Sequence, residues 1–159
     1  MTIDDHLHEL GITLPPASAP AGLYKPALRT GALLYVSGQI NVAGGALTAK
    51  GKLGAEVDLE AGQAAARQCA LNCLAAAQAE LGSLDAIRQL VRLTGFVASA
   101  QGFTKQPQVI NGASELLRDV LGQDAGVGTR LAVGVAELPA GAPVEVDLIL
   151  EISDTSSGD

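Results

Sequence analysis

An α+β fold, a mixed β-sheet carrying two helices on one face, is predicted by three features of this 159-residue chain. Two stretches, Asp58–Leu81 and Gln108–Leu121, have helical spacing of small and apolar residues with start and stop signals at their ends. Between and around them lie runs with strand character, in the order strands, helix, strand, helix, strand, strand. The length supports one domain with a real core and is too short for two ordinary ones.

The elements follow in order. Residues 2–10 form a short helix, with Thr2 or Asp4 as cap and Gly11 as stop. His6 and His8, two apart, share no helix face and read as solvated rather than as a metal pair. Pro15, Pro16 and Pro20 mark an extended arm, so residues 1–22 are set apart from a main domain at 23–152. Leu23–Ala27 opens that domain, and Leu33–Ile40 is its first clear strand. Gly44-Gly45 suggests a turn or hairpin, and Lys50–Gly54 a mobile loop.

Asp58 can cap the long helix, and Gly82 sits just past its end. Cys69 and Cys73, four apart, share a helix face and read as small buried residues. Ile87–Val97 is the next strand, with Arg88 and Arg92 on a solvated face. The polar loop 98–107 contains Phe103, a pocket wall or a cap on the core. Pro107 stands near the start of the second helix, whose buried stripe is Val109, Ala113, Leu116, Leu117 and Val120, and Gly122 ends it. Residues 153–159 read as a disordered polar tail.

The segment 128–152 alternates twice around Leu138-Pro-Ala-Gly-Ala-Pro143. In its first strand Leu131, Val133 and Val135 share a face. The other face sets Arg130 over Ala132, Gly134 and Ala136, small residues that admit another backbone, a partner subunit or a ligand. A regular hairpin centred near Gly141 would set Arg130 opposite Ile152 and Glu145 opposite Glu137. That separates Arg130 from Glu145 by roughly 23 Å. If both act on one ligand, they must come from different subunits.

Composition narrows the function. Hydrophobic residues make up 48% of the chain but aromatics only 3%, so the core is built from Ala, Leu, Val and Ile, and oligomerisation is a natural way to bury more surface. The net charge of −7, with no basic run, argues against a nucleic-acid partner. No stretch approaches the ~20 apolar residues of a membrane span, and the first residues lack a secretory pattern, so a reduced, cytoplasmic setting without membrane contact is expected. Two cysteines and two distant histidines give no zinc pattern, and Ser37 lies in no nucleophile elbow, so neither metal nor hydrolase triad is expected.

The run Arg130-x-x-Val133-x-Val135-x-x-Leu138-Pro139 followed by Val144-Glu145-Val146 closely resembles the C-terminal signature of the RidA family (YjgF/YER057c/UK114, with the older label endoribonuclease L-PSP). Tyr24, Val36-Ser37-Gly38-Gln39-Ile40, Phe96-Val97, Phe103 and Asn111 extend the resemblance over most of the chain. It implies a chorismate-mutase-like fold and a homotrimer with clefts between subunits. It also implies cofactor-free hydrolysis of 2-imino or enamine acids to 2-keto acids and ammonia. Carried over by position, Arg130 clamps the carboxylate and Glu145 activates water. Tyr24, Ser37 and Asn111 line the cleft, Phe103 walls it, and the backbone at Gly38 approaches the ligand. Lys25-Pro26-Ala27, Ala132 in place of a frequent cysteine, a longer 103–111 loop and a longer N-terminus mark a distinct branch. Two functions from different classes fit these residues: an imine deaminase, and a non-catalytic trimer that binds small carboxylates or a partner. Arg130 also fits an interface ion pair, Glu145 a solvated strand position, and Tyr24 and Ser37 packing and turn positions.

Overall fold

The structure, a computed structural model, describes residues 1–154. Its centre is a five-stranded sheet in the order β1-β2-β7-β5-β6. The strands are β1 (Ala27–Thr30), β2 (Leu33–Ile40), β5 (Ile87–Ala98), β6 (Thr129–Val135) and β7 (Val144–Ile152). A small hairpin, β3 (Val42–Ala43) with β4 (Ala46–Leu47), follows β2 and turns at Gly44-Gly45. Helices α2 (Leu59–Leu81) and α3 (Gln106–Leu121) carry the core side chains that cover one face of the sheet, and α1 (Ile3–Glu9) packs on α3.

The expected hairpin between the last two strands does not form. β6 pairs in parallel with β5, and β7 pairs antiparallel with β5 on its other side. The reason is connectivity: α3 carries the chain from the end of β5 back to its beginning, so β6 enters parallel. Leu138–Pro143 is a crossing rather than a tight turn. It contains a short 3₁₀ turn with Ala140 and Gly141 both at positive φ, and it passes the end of β5, where Ala98 N–H donates to the Pro143 carbonyl. Ala140 at φ 60° is an uncommon conformation for a residue with a Cβ.

The core lies between sheet and helices. Leu34 and Val36 of β2, Leu90, Leu93 and Val97 of β5, and the even-numbered residues Val144–Leu150 of β7 point into it. α2 is buried almost without a break from Cys69 to Ala77, which small residues make possible. Gly112 permits the closest approach of the two helices, because a Cβ there would fall on the Gln63 carbonyl. Cys69 and Cys73 belong to this layer. Their thiols donate to the carbonyls of Val144 and Val146 at 3.4 Å, and burial pushes both well above the ordinary cysteine range.

Asp58 caps α2 through the Ala61 amide, and Gly82 closes it in the left-handed conformation. Thr2 and Asp5 form a capping box on α1, which holds the Asp5 carboxyl below the ordinary range. His6 is not simply solvated: its Nδ1 lies 2.9 Å from the Val120 carbonyl near the end of α3. Ile3 N–H donates to Asp85 and Leu7 is buried, so α1 is docked onto the domain at three points. The Lys50–Gly54 segment is likewise anchored rather than loose. Leu53 is fully buried, its N–H donates to Ala98, and its carbonyl accepts from Ala100. At the C-terminus, Ser153 is bonded to Ala86 and Arg29. The remainder of the expected tail, 155–159, lies outside the described residues.

Candidate functional site

All but Phe103 of the site residues singled out by the sequence fall into two groups on opposite faces of the sheet. The first surrounds Glu145. In β7 the even-numbered residues point into the core, so Glu145 and Asp147 point to the open face. Glu145 pairs with Ile40 of β2, beyond an irregularity between Val36 and Gln39. Gly38 sits in that irregularity, and a Cβ on it would collide with the Glu145 carboxylate. Glycine is therefore the condition for the carboxylate to lie across β2. The Ser37 hydroxyl donates to the Lys25 carbonyl at 2.6 Å, and the Ser37 amide donates to Pro26. These bonds fix the place where the N-terminal arm meets the sheet. Tyr24 stands beside them, its hydroxyl oxygen accepting from the Ala21 amide. Tyr24, Ser37, Gly38 and Glu145 line one cleft of about 660 Å³.

Burial, and secondarily the neighbouring Asp147, raise the Glu145 carboxyl above its ordinary value. Burial also raises Asp147, opposed by a hydrogen bond from Thr94 and the charge of Arg92. Among the described residues, no arginine, lysine or histidine lines the cleft.

The second group surrounds Arg130. Its alignment with the buried Leu93 puts it on the helix side of the sheet. There Nη1 donates to Asn111 Oδ1 at 2.7 Å and to Ser114 Oγ at 3.1 Å, both on α3. Two neutral acceptors hold one nitrogen and leave the charge uncompensated. Among the described residues, Nε and Nη2 make no hydrogen bond and no carboxylate pairs with the guanidinium. That leaves an edge suited to a bidentate carboxylate. The stripe of small residues beside Arg130 serves α3 of the same chain: Ala132 aligns with Gly95, where Ile110 fills the space a Cβ would need.

Arg130 and Glu145 lie two strands and three residues apart, about 14 Å between Cα atoms by strand geometry, with side chains on opposite faces. The hairpin register expected from sequence is wrong, yet the two residues are still kept apart within the chain. Asn111 joins the arginine group as an acceptor for it. Phe103 joins neither group. It packs over Gly54 beside the start of α2, in a separate cleft with Val57 and Lys105.

Sequence reasoning missed Ser114, although it lies three residues after Asn111 and so on the same helix face. It also missed the arm residues from Ser18 to Gly22, which line the Glu145 cleft and carry no motif. Among the described residues, no group of three or more His, Cys, Asp or Glu is placed to hold a metal ion, and no helix is long and apolar enough to cross a membrane.

The sequence pattern of the family described as "YjgF/chorismate_mutase-like, putative endoribonuclease" matches residues 4–152. The chain is 48% identical over 151 residues to Protein TCP17 of Trypanosoma cruzi, which spans 94% of this chain and 93% of that protein. It is similar to the crystal structure of Atu1372 from Agrobacterium tumefaciens, with TM-score 0.87, 47% identity, and coverage of 95% of this chain and 92% of that one. It is also similar to the structure of E. coli TdcF with bound serine, with TM-score 0.60, 25% identity, and coverage of 88% and 94%.

Proposed function

Because this chain belongs to the RidA/YjgF family, we propose that it is a cofactor-free deaminase of 2-imino or enamine acids, acting in a cleft completed by a second copy of the chain. The observation that carries this reading is the division of the site. An uncompensated arginine stands on one face of the sheet, and a partly buried carboxylate in a cleft without cations stands on the other. Each half supplies what the other lacks. A closed homotrimer would bring the halves together at three equivalent interfaces. The exposed Tyr35 and Leu131, on the open face, belong to the surface that such packing would cover.

The chemistry then runs as follows. Arg130 of one copy holds the substrate carboxylate through its two unengaged nitrogens, with Asn111 and Ser114 fixing the guanidinium. Glu145 of the neighbour accepts a proton from water as the water oxygen bonds to the imine carbon. Its raised pKa makes it a better base than an ordinary glutamate. Glu145 gives that proton to the imine nitrogen, forming a carbinolamine. The carboxylate then takes the carbinolamine's hydroxyl proton and passes it to the amino group. As the C=O bond forms the C–N bond breaks, releasing a 2-keto acid and ammonia. The imine carbon is already electrophilic, so the scheme calls on no cofactor. Bound serine in TdcF, a small amino acid, is consistent with a site for such carboxylates in the family. Free, buried thiols are compatible with a reducing compartment such as the cytoplasm.

The alternative, a trimer that binds small carboxylates without turnover, draws on Ala132 and on the unengaged edge of Arg130. One experiment separates the two. An imine is generated in situ by a separate enzyme, and keto-acid release is followed with wild type and with Arg130→Ala, alongside the mass of each in solution. Acceleration by wild type alone, at equal mass, supports the deaminase. Binding of the keto acid without acceleration supports the binder.

A further inference from the structure

We infer that helix α2 positions Glu145 through a brace of three side chains, in which Asn72, with Cys69 and Cys73 on the same helix face, pins the backbone on both strands beside the carboxylate. What that placement does for catalysis rests on the deaminase reading. The brace itself is made of hydrogen bonds within one chain.

An alanine-rich helix packed on a sheet calls for apolar side chains. Among the described residues, the buried polar or charged side chains are Asn41 and Asn72, and both sit where β2 ends. A buried amide costs free energy unless its groups are bonded, and leucine at 72 would extend the apolar layer without that cost. The Asn72 amide is engaged at both ends. Its Nδ2 donates to the carbonyls of Ile40 and Val42, each at 2.9 Å, and its Oδ1 accepts from Gln68 Nε2 at 3.1 Å. The Gln68 bond settles which end of the amide carries the hydrogens. Asn41, between the two acceptors, donates to Thr48 Oγ1 and to the Ala49 carbonyl, and so closes the root of the β3–β4 hairpin.

This junction is the one on which Glu145 depends. Gln39–Val146 and Ile40–Glu145 are the only two aligned pairs that follow the irregularity at Val36/Gln39 before β2 ends. So short a stretch is weakly held by its own ladder, and Asn72 anchors it from the helix side. On β7 the thiols of Cys69 and Cys73 reach the carbonyls of Val144 and Val146, the residues on either side of Glu145. Burial raises both thiols and the nearby Glu145 charge adds to it, so they remain protonated donors. Positions 69, 72 and 73 share one face of the helix. One helix therefore holds both strands beside the carboxylate, while Gly38 leaves the carboxylate its space. A displacement of about 1 Å at a reacting group can cost about 10²-fold in rate, so a substrate anchored on a neighbour's Arg130 needs Glu145 at a fixed distance.

The test uses the full-length protein, an imine generated in situ by a separate amino-acid oxidase, and the variants Asn72→Leu, Asn72→Asp and Leu84→Ala. Leu84 is buried beyond the end of α2, so its truncation destabilises the core without touching the brace. All are assayed below their thermal midpoints. Asn72→Leu and Asn72→Asp cannot donate to both carbonyls. Each should lower kcat about tenfold, with keto-acid binding by calorimetry within about twofold of wild type. Cys73→Ala removes a weak donor and should lower kcat less than Asn72→Leu does. Leu84→Ala should keep the wild-type kcat. Amide hydrogen exchange at 38–42 and 144–147 should quicken in the Asn72 variants and not in Leu84→Ala. An unchanged kcat in the Asn72 variants, or an equal fall in Leu84→Ala, would overturn the inference and leave the deaminase standing. Absence of imine hydrolysis by wild type would instead remove the deaminase, and exchange then decides. Quickening confined to 38–42 and 144–147 in the Asn72 variants supports the brace, and unchanged exchange there overturns it.

Discussion

The surroundings of Arg130 and of Glu145 are built on opposite strategies. Arg130 stands at an exposed sheet edge and is fixed by the hydrogen bonds it donates to a helix, while its charge is left for a ligand. Glu145 is set by exclusion: a glycine gives it room, apolar walls surround it, and burial alters its proton affinity. One group is held for geometry, which suits binding. The other is shaped for reactivity, which suits proton transfer. The difference predicts distinct consequences when each is damaged.

The largest effect belongs to Arg130→Ala, which should lower kcat/KM for imine hydrolysis by about 10²–10³-fold through loss of the carboxylate clamp. Solution mass should remain that of wild type. Gly38→Ala comes next. Its methyl group would displace the Glu145 carboxylate, so kcat should fall about tenfold or more while carboxylate binding is retained. Steady-state kinetics with keto-acid calorimetry separates these two outcomes.

Ser114→Ala should be milder, raising KM several-fold with little change in kcat, because Asn111 still holds the same nitrogen. Ser114→Thr should restore the wild-type KM. A loss of kcat in Ser114→Ala would contradict a positioning role.

The smallest effect concerns pH. Burial raises the Glu145 carboxyl above its ordinary value of 4.5, so the folded chain binds more protons than the unfolded chain just above that pH. This contribution to stability is complete below the unfolded value and is lost as pH rises through the folded one. Thermal midpoints of wild type should therefore decline through that window relative to Glu145→Gln. The acid limb of kcat/KM should also lie above the usual carboxylate range, since Glu145 must be ionised to accept a proton.

Much of this was legible in the sequence. The caps at Asp58 and Gly82, the strand at 33–40 and the buried stripe of α3 follow from local rules, and the structure reproduces them. Strand order did not, because alternation in 131–135 and 144–150 shows which residues share a face but not which strand lies alongside. Two such strands joined by Pro and Gly look like a hairpin, and the insertion of β5 between them is a long-range choice set by α3. The small residues beside Arg130 were legible as a place of close approach, but not that α3 fills it. His6 looked like a surface residue because its partner, the Val120 carbonyl, lies 114 positions away. The arm wall at 18–22 left no signal, since alanine and glycine there carry no pattern.

The central claim is that one cleft takes Arg130 from one copy and Glu145 from another. Subunit complementation tests it most directly. Arg130→Ala and Glu145→Gln chains, each inactive alone, are co-expressed in equal amounts and purified together as mixed oligomers. If each cleft draws its two residues from different copies, about a quarter of clefts in a random mixture hold both wild-type groups, and about a quarter of wild-type activity should return. Mixed oligomers as inactive as their parents would contradict the claim.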